Sequence, residues 1–221
     1  TILAWMAVVT ILISSLIALK KDNLKARLAF STIGQLSYIV LGIAILSPLS
    51  TAGALYHLVA HAFMKITLFM CAGAIFVTTH KKDISEMVGL GRRMPVTMSA
   101  FTVASLGIAS FPFFVGFVSK ANIIMGALKT GQLLFGATLI VSAILALTYL
   151  MPVVLIAFKK VPVNPEFSTY GESSKMMLVP LLITATISII LGVAPNFGLH
   201  LLDFAMSTGE TVFAHVGGVL C

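Results

Sequence analysis

Acidic side chains are scarce in this 221-residue chain: seven Asp and Glu against fourteen Lys and Arg, a net charge of +7. Charged residues are 10% of the total and hydrophobic ones 59%, whereas an ordinary soluble domain is about 25% charged. Mean hydropathy is +1.09. These values exclude a soluble globular domain and point to an all-α, polytopic membrane bundle. The positive balance does not indicate a nucleic-acid binder, because the cations fall in short loops between apolar runs, as membrane topology requires. The two cysteines, Cys71 and Cys221, lie in a span and at the last residue, so neither a disulfide framework nor a metal-ligand spacing exists. There is no phosphate-binding loop, no Ser-His-Asp arrangement and no nucleotide fingerprint; Gly89-Leu90-Gly91 is too short to be one. No cofactor or metal is expected in the chain itself. Thr1 opens directly in an apolar run without a charged leader.

Hydropathy predicts six spans: 1–19, 28–47, 54–79, a long segment 96–130, 132–158 and 176–194. Residues 1–195 form one transmembrane domain. Residues 196–221, with Asp203 and Glu210, read as a terminal interfacial or partly embedded helix. Pro48, Ser50 and Gly53 mark a short neutral turn, and Pro152 is expected to bend the end of the fifth span. Basic loops 20–27, 80–95 and 159–175 follow spans one, three and five, while the loop after span two is neutral and that after span four carries only Lys129. The positive-inside rule puts the three basic loops on the cytoplasmic side of a cell membrane, or the matrix side in an organelle.

A continuous helix over 96–130 would reach roughly 50 Å, against a hydrocarbon core near 30 Å. Its middle reads Gly107-Ile108-Ala109-Ser110-Phe111-Pro112-Phe113-Phe114-Val115-Gly116. Pro112 removes a backbone donor, so either a kink or two half-helices joined by an extended segment results. Broken helices mark ion or substrate pathways in transporters.

The carboxylates Asp22, Asp83, Glu86, Glu166, Glu172, Asp203 and Glu210 all lie outside the six spans. The embedded titratable groups are His57, His61, Lys65 and Lys120. Ionisable groups in a membrane helix are costly and suggest function. His57, His61 and Lys65 recur at i, i+4, i+8, on one helix face and roughly 6 Å apart along the axis. Hard cations want oxygen ligands and are repelled by ammonium, whereas a desolvated lysine or a histidine takes and releases protons. The set therefore fits a proton relay better than a sodium site. Gaps of roughly 6 Å correspond to one or two waters, which Thr67, Ser105, Ser110 and Ser119 could hold. Each residue also has a plainer role: a histidine packed by hydrogen bonds, a snorkelling Lys120, and Lys25 and Arg27 as topology anchors.

The stretch His57-Leu58-Val59-Ala60-His61-Ala62-Phe63-Met64-Lys65-Ile66-Thr67-Leu68-Phe69 resembles the His-x-x-x-His-Ala-Phe-Phe-Lys-Ala-Leu-Leu-Phe signature of antiporter-like membrane subunits, found in respiratory complex I, membrane-bound hydrogenases and Mrp-type cation/proton antiporters. Leu24-Lys25-Ala26-Arg27-Leu28-Ala29-Phe30-Ser31-Thr32-Ile33-Gly34-Gln35-Leu36-Ser37-Tyr38 resembles the same family's Ile-Lys-Arg-x-x-Ala-Tyr-Ser-Thr-x-x-Gln-x-Gly-Tyr, and Gly116-Phe117-Val118-Ser119-Lys120 its Gly-Phe-Phe-Ser-Lys. Met64 and Ser37 depart mildly from these patterns. The resemblance covers the chain to about residue 195. It implies two inverted five-helix repeats, of which this chain is similar to the second plus one more helix, so that the complete subunit begins before Thr1. It implies a central relay role for Lys65, an exit-side role for Lys120 and a place at the relay's edge for Lys25. Gly91-Arg92-Arg93-Met94-Pro95 and the short tail look most like the D-type Mrp subunit, with the A-type beside it. The expected function is proton translocation within a multisubunit membrane complex, led by a Na+/H+ antiporter of Mrp type, with homologous antiporter-like subunits, lipid, protons and sodium as partners and no nucleic acid. The alternative is a proton-pumping subunit of a redox-driven complex of the NADH dehydrogenase or hydrogenase kind, with iron–sulfur clusters in other subunits.

Overall fold

A computed structural model describes residues 2–159, 167 and 169–219, with side chains to residue 214; Cys221 and Glu166 lie outside the described residues. Among the described residues the regular elements are helices: α1 Ile2–Lys20, α2 Leu24–Ala44, α3 Pro48–Thr79, a 3-10 turn Ile84–Glu86, α4 Leu90–Arg93, α5 Pro95–Ile108, α6 Val115–Lys129, α7 Leu133–Ala157, α8 Lys175–Val193 and α9 Leu201–Val219. Helices α1, α2, α3, α7 and α8 are each long and apolar enough to cross a bilayer. The half-helices α5 and α6, of 14 and 15 residues, are each too short alone and together make one more crossing, the fourth in chain order.

Pro48 does not lie in a turn between spans. It occupies the first turn of α3, with Ser47 extended before it. A proline there loses no helical hydrogen bond, since the first amides have no intrahelical partner. Residues 48–53 therefore extend α3 to 32 residues. This helix packs against α2, α5, α6, α8 and α9, while α1 covers α2 and α7. It is the most buried of the spans, and its axis carries His57, His61 and Lys65. Small residues allow the close approach. At Gly53 an added Cβ would fall 2.8 Å from the Ile123 amide nitrogen of α6, so helix backbone meets helix backbone there.

The expected break is present. α5 ends at Ile108, α6 begins at Val115, and Ser110 and Phe113 take left-handed backbone angles (φ 62° and 71°) around Pro112. Such angles cost a non-glycine residue of order 1 kcal/mol or more and persist only where the surroundings enforce them. Gly116 supplies that enforcement: its Cα lies so near the Gly107 carbonyl that an added Cβ would sit 2.0 Å from the oxygen.

The three basic loops meet at one end of the bundle. Asn23 and Asp83 form an antiparallel bridge, flanked by bonds from the Leu24 amide to the Lys82 carbonyl (3.0 Å) and from the Ile84 amide to the Asp22 carbonyl (3.0 Å). The Gly89 amide reaches Ile156 O and the Gly171 amide Arg93 O, at 3.1 and 2.9 Å. Glu172 crosses from the third loop to cap α5, accepting from the Val96 amide at 2.6 Å and from the Thr97 hydroxyl at 2.7 Å. No side chain of α5's own N-cap serves that purpose.

Replacing Gly116 by Ala should force α5 and α6 apart and destabilise the fold by about 1–3 kcal/mol; Glu172→Ala should cost about 0.5–2 kcal/mol. Thermal unfolding of the purified protein in detergent checks both. A melting temperature unchanged by Gly116→Ala would contradict the close approach.

Candidate functional site

The break places Lys120. Ile108 is the last residue of α5, so its carbonyl lacks a helical partner. Lys120, one turn into α6, donates its Nζ proton to that oxygen at 2.8 Å, where a helix C-terminus favours positive charge. The Lys120 Nζ also lies 4.6 Å from the centre of the Tyr38 ring, a cation–π distance. The Tyr38 hydroxyl bonds the Ser142 hydroxyl of α7, which lies 3.4 Å from Ser15 Oγ of α1.

His57 comes next. Its ring meets Tyr38 edge-on at 5.6 Å between centres, and its Nδ1 is 2.8 Å from Ser119 Oγ. Ser119 has one hydroxyl proton, and its Oγ lies 3.0 Å from the Gly116 carbonyl. With that proton on Gly116 O, the Nδ1–H of His57 donates to Ser119 Oγ. The bonding pattern thus leaves His57 Nε2 as the bare acceptor, and that atom has no hydrogen-bond partner among the described residues. His61 stacks one turn on, with ring centres 6.2 Å apart, and its Nε2 is likewise unpartnered.

Lys65 closes the row. Its Nζ donates to Ser31 Oγ at 2.7 Å and to Leu28 O at 3.1 Å, both from α2. Ser31 Oγ also accepts from the Tyr149 hydroxyl of α7 at 2.9 Å. Arg27, one turn before Ser31, donates its Nη1 to Tyr149 O at 2.9 Å and its Nε to Lys21 O at 2.7 Å. The row thus runs Lys120, Tyr38, His57, His61, Lys65, Ser31, Tyr149, Arg27, from the helix break to the basic loops. Lys65, Lys120, His57, His61, Ser31 and Arg27 are all buried. Among the described residues, the salt bridges lie elsewhere, at Lys81–Glu86 and His200–Asp203. The buried cations are held by carbonyl and hydroxyl oxygens instead. No group of His, Cys, Asp and Glu suited to a metal ion occurs among the described residues.

Four of the five predicted relay residues, His57, His61, Lys65 and Lys120, share this row. Lys25 is exposed at the loop end, its Nζ 4.9 Å over the Phe76 ring; the buried cation at that end is Arg27. Tyr38, Tyr149, Ser31 and Arg27 entered no sequence-based site. Ser31 and Tyr38 stand at the Ser and last Tyr of the α2 motif, and i, i+4 spacing puts Arg27 and Ser31 on one face of α2. Of the predicted break residues, Gly107 and Gly116 form the crossing and Pro112 lies between the two left-handed residues.

The family description "NADH:quinone oxidoreductase/Mrp antiporter, TM" matches residues 1–146. The chain belongs to this family. It is 36% identical over 202 residues to NADH-quinone oxidoreductase subunit N of Desulforudis audaxviator, covering 86% of this chain and 40% of that protein. Its fold matches a chain in the structure of the Mrp complex from Dietzia sp. DQ12-45-1b, with a TM-score of 0.85 and 24% identity over 99% of this chain and 49% of that one. It also matches a chain of the archaeal membrane-bound sulfane sulfur reductase, with a TM-score of 0.81 and 27% identity over 90% and 34% of the two chains. The chain therefore spans less than half the length of each of these proteins. It is a multi-pass membrane protein of antiporter-like fold, similar to subunits of multisubunit membrane complexes.

Ser119→Ala should strip His57 Nδ1 of its partner and lower stability by about 1–3 kcal/mol, the usual effect of orphaning a buried donor. Thermal unfolding reads this directly, and an unchanged midpoint would show that His57 pairs elsewhere.

Proposed function

We propose that the chain translocates protons within a multisubunit membrane complex, along the row from Lys120 through His57 and His61 to Lys65. The observation that carries this reading is a buried line of proton-exchanging groups to which, among the described residues, no carboxylate is bonded. A hard cation takes oxygen ligands, usually with a carboxylate among them, and is repelled by ammonium; this line offers ammonium and imidazole. The unpartnered Nε2 atoms of His57 and His61 lie between the two lysines and suit alternate acceptance and release of one proton. Steps of roughly 6 Å between successive groups on α3 correspond to transfer through one or two waters.

Each end has its own chemistry. Lys120 lies on a carbonyl freed by the helix break, so a change in the α5–α6 crossing alters its partner. Lys65 shares Ser31 Oγ with Tyr149. As an ammonium, Lys65 donates to Ser31; as a neutral amine it accepts the Ser31 proton while Tyr149 donates to Ser31. Tyr149 and Ser31 thus extend the row towards the basic loops, with Arg27 fixing the Tyr149 backbone. Lys25 stands as a surface cation at the outer edge. The basic loops are proposed to face the cytoplasm.

The leading assembly is a cation/proton antiporter of Mrp type, with sodium as the exchanged ion. The second reading is a redox-driven complex, supported by the 36% identity to a NADH-quinone oxidoreductase subunit. Iron–sulfur signals in the purified native complex would decide for the second, and their absence for the first.

In vesicles holding the assembled complex, Lys65→Ala should abolish proton-coupled transport while leaving assembly intact; a normal rate would remove Lys65 from the row. Lys120→Ala should slow transport, and His61→Ala should cause a partial loss because water can bridge a single missing member. Tyr149→Phe should slow it by about fivefold, the factor corresponding to one neutral hydrogen bond of about 1 kcal/mol. An unchanged rate would confine Tyr149 to packing.

A further inference from the structure

Beyond the buried row, the loop end of the bundle holds a second arrangement of cations. The first residues of α2 and the last two turns of α3 enclose a cavity of about 340 Å³ with the loop that follows α3. Lys25, Lys81 and Lys82 line its mouth, and Leu24, Ala72 and Met87 line its floor. The ammonium of Lys25 lies 4.9 Å from the centre of the Phe76 ring and that of Lys82 lies 5.3 Å from the same centre. Two like charges share one ring. The nearby carboxylates are engaged elsewhere: Asp22 accepts from the Ser85 amide and hydroxyl, Asp83 from the Asn23 side chain, and Glu86 pairs with Lys81. Among the described residues, neither Lys25 nor Lys82 forms a salt bridge.

We propose that this cleft is a binding site for a phosphate group, presented by an anionic lipid headgroup. Repulsion between two unpaired ammoniums is relieved by an anion placed between them. Lys25 and Lys82 suit a phosphate that accepts several hydrogen bonds at once, while Lys81 beside them is paired with Glu86. The apolar floor distinguishes a lipid from a free anion. Ala72 lies seven residues before the end of α3, so the floor is roughly 10 Å below the helix terminus, and an apolar group can reach in beneath the phosphate. Basic pockets beside transmembrane helices at a charged loop end bind such headgroups, each lysine contributing about fivefold in affinity. The proposal is independent of the transport reading.

Native mass spectrometry of the purified complex in detergent micelles doped with phosphatidylglycerol or phosphatidylcholine tests it. The complex should retain phosphatidylglycerol and not phosphatidylcholine. Lys25→Gln with Lys82→Gln should weaken retention by about twenty-five-fold, two steps of about fivefold, while Lys25→Arg with Lys82→Arg should keep it. If excess inorganic phosphate displaces the lipid, the free anion is a ligand of the same phosphate site; if it does not, the headgroup with its glycerol is the ligand. Retention of phosphatidylglycerol unchanged in a double Gln variant with an unaltered melting temperature would overturn the proposal, as would equal retention of both lipids.

Discussion

A positive charge inside this bundle must be solvated by oxygen, and among the described residues Lys65, Lys120 and Arg27 find that oxygen in carbonyls and a hydroxyl, with no salt bridge to any of the three. Lys65 takes a carbonyl and a hydroxyl from α2, Lys120 takes the terminal carbonyl of α5, and Arg27 takes two carbonyls from the loop and α7. A buried ion pair would fix each charge in place, because separating it leaves an uncompensated partner. Neutral oxygens impose no such penalty on either protonation state. The same constraint explains the break in the fourth crossing. An intact helix consumes its own carbonyls, and Ile108 O is available to Lys120 only because α5 stops there.

The tightness of the bundle follows from the same requirement. Lys120 reaches Ile108 O because Gly116 lets the two half-helices cross at backbone contact, and Ser119 reaches His57 because Gly53 lets α6 lie directly on α3. The strained Ser110 and Phe113 are the cost of that crossing. At the other end, Glu172 caps α5 and the three basic loops tie to one another, so the half-helix that presents Ile108 O is held at both termini.

Much of this was legible in the residues. Apolar runs located the crossings, the i, i+4, i+8 spacing of His57, His61 and Lys65 placed them on one face, and Pro112 within an overlong segment located the break. In the sequence, Pro48, Ser50 and Gly53 read as a turn because proline, serine and glycine punctuate loops; proline in a first helical turn sends the same signal. The hydroxyl partners were beyond reach. Tyr38, Ser31 and Tyr149 are ordinary residues in apolar helices, and only the packing of α2 against α3 and of α7 against α2 turns them towards the lysines. Arg27 and Lys25 show the same limit. Two residues apart on α2, they differ by about 200° around the helix axis, and which one enters the bundle depends on where α7 lies.

The central claim is that Lys65 moves a proton and does not merely hold a charge. The most direct measurement is proton translocation by the assembled complex carrying Lys65→Arg, read with a pH-sensitive dye inside vesicles. Arginine keeps the positive charge and the donors but does not release its proton. The account predicts a complex that assembles and does not pump. Pumping at the normal rate would show that a fixed charge suffices and would contradict the relay.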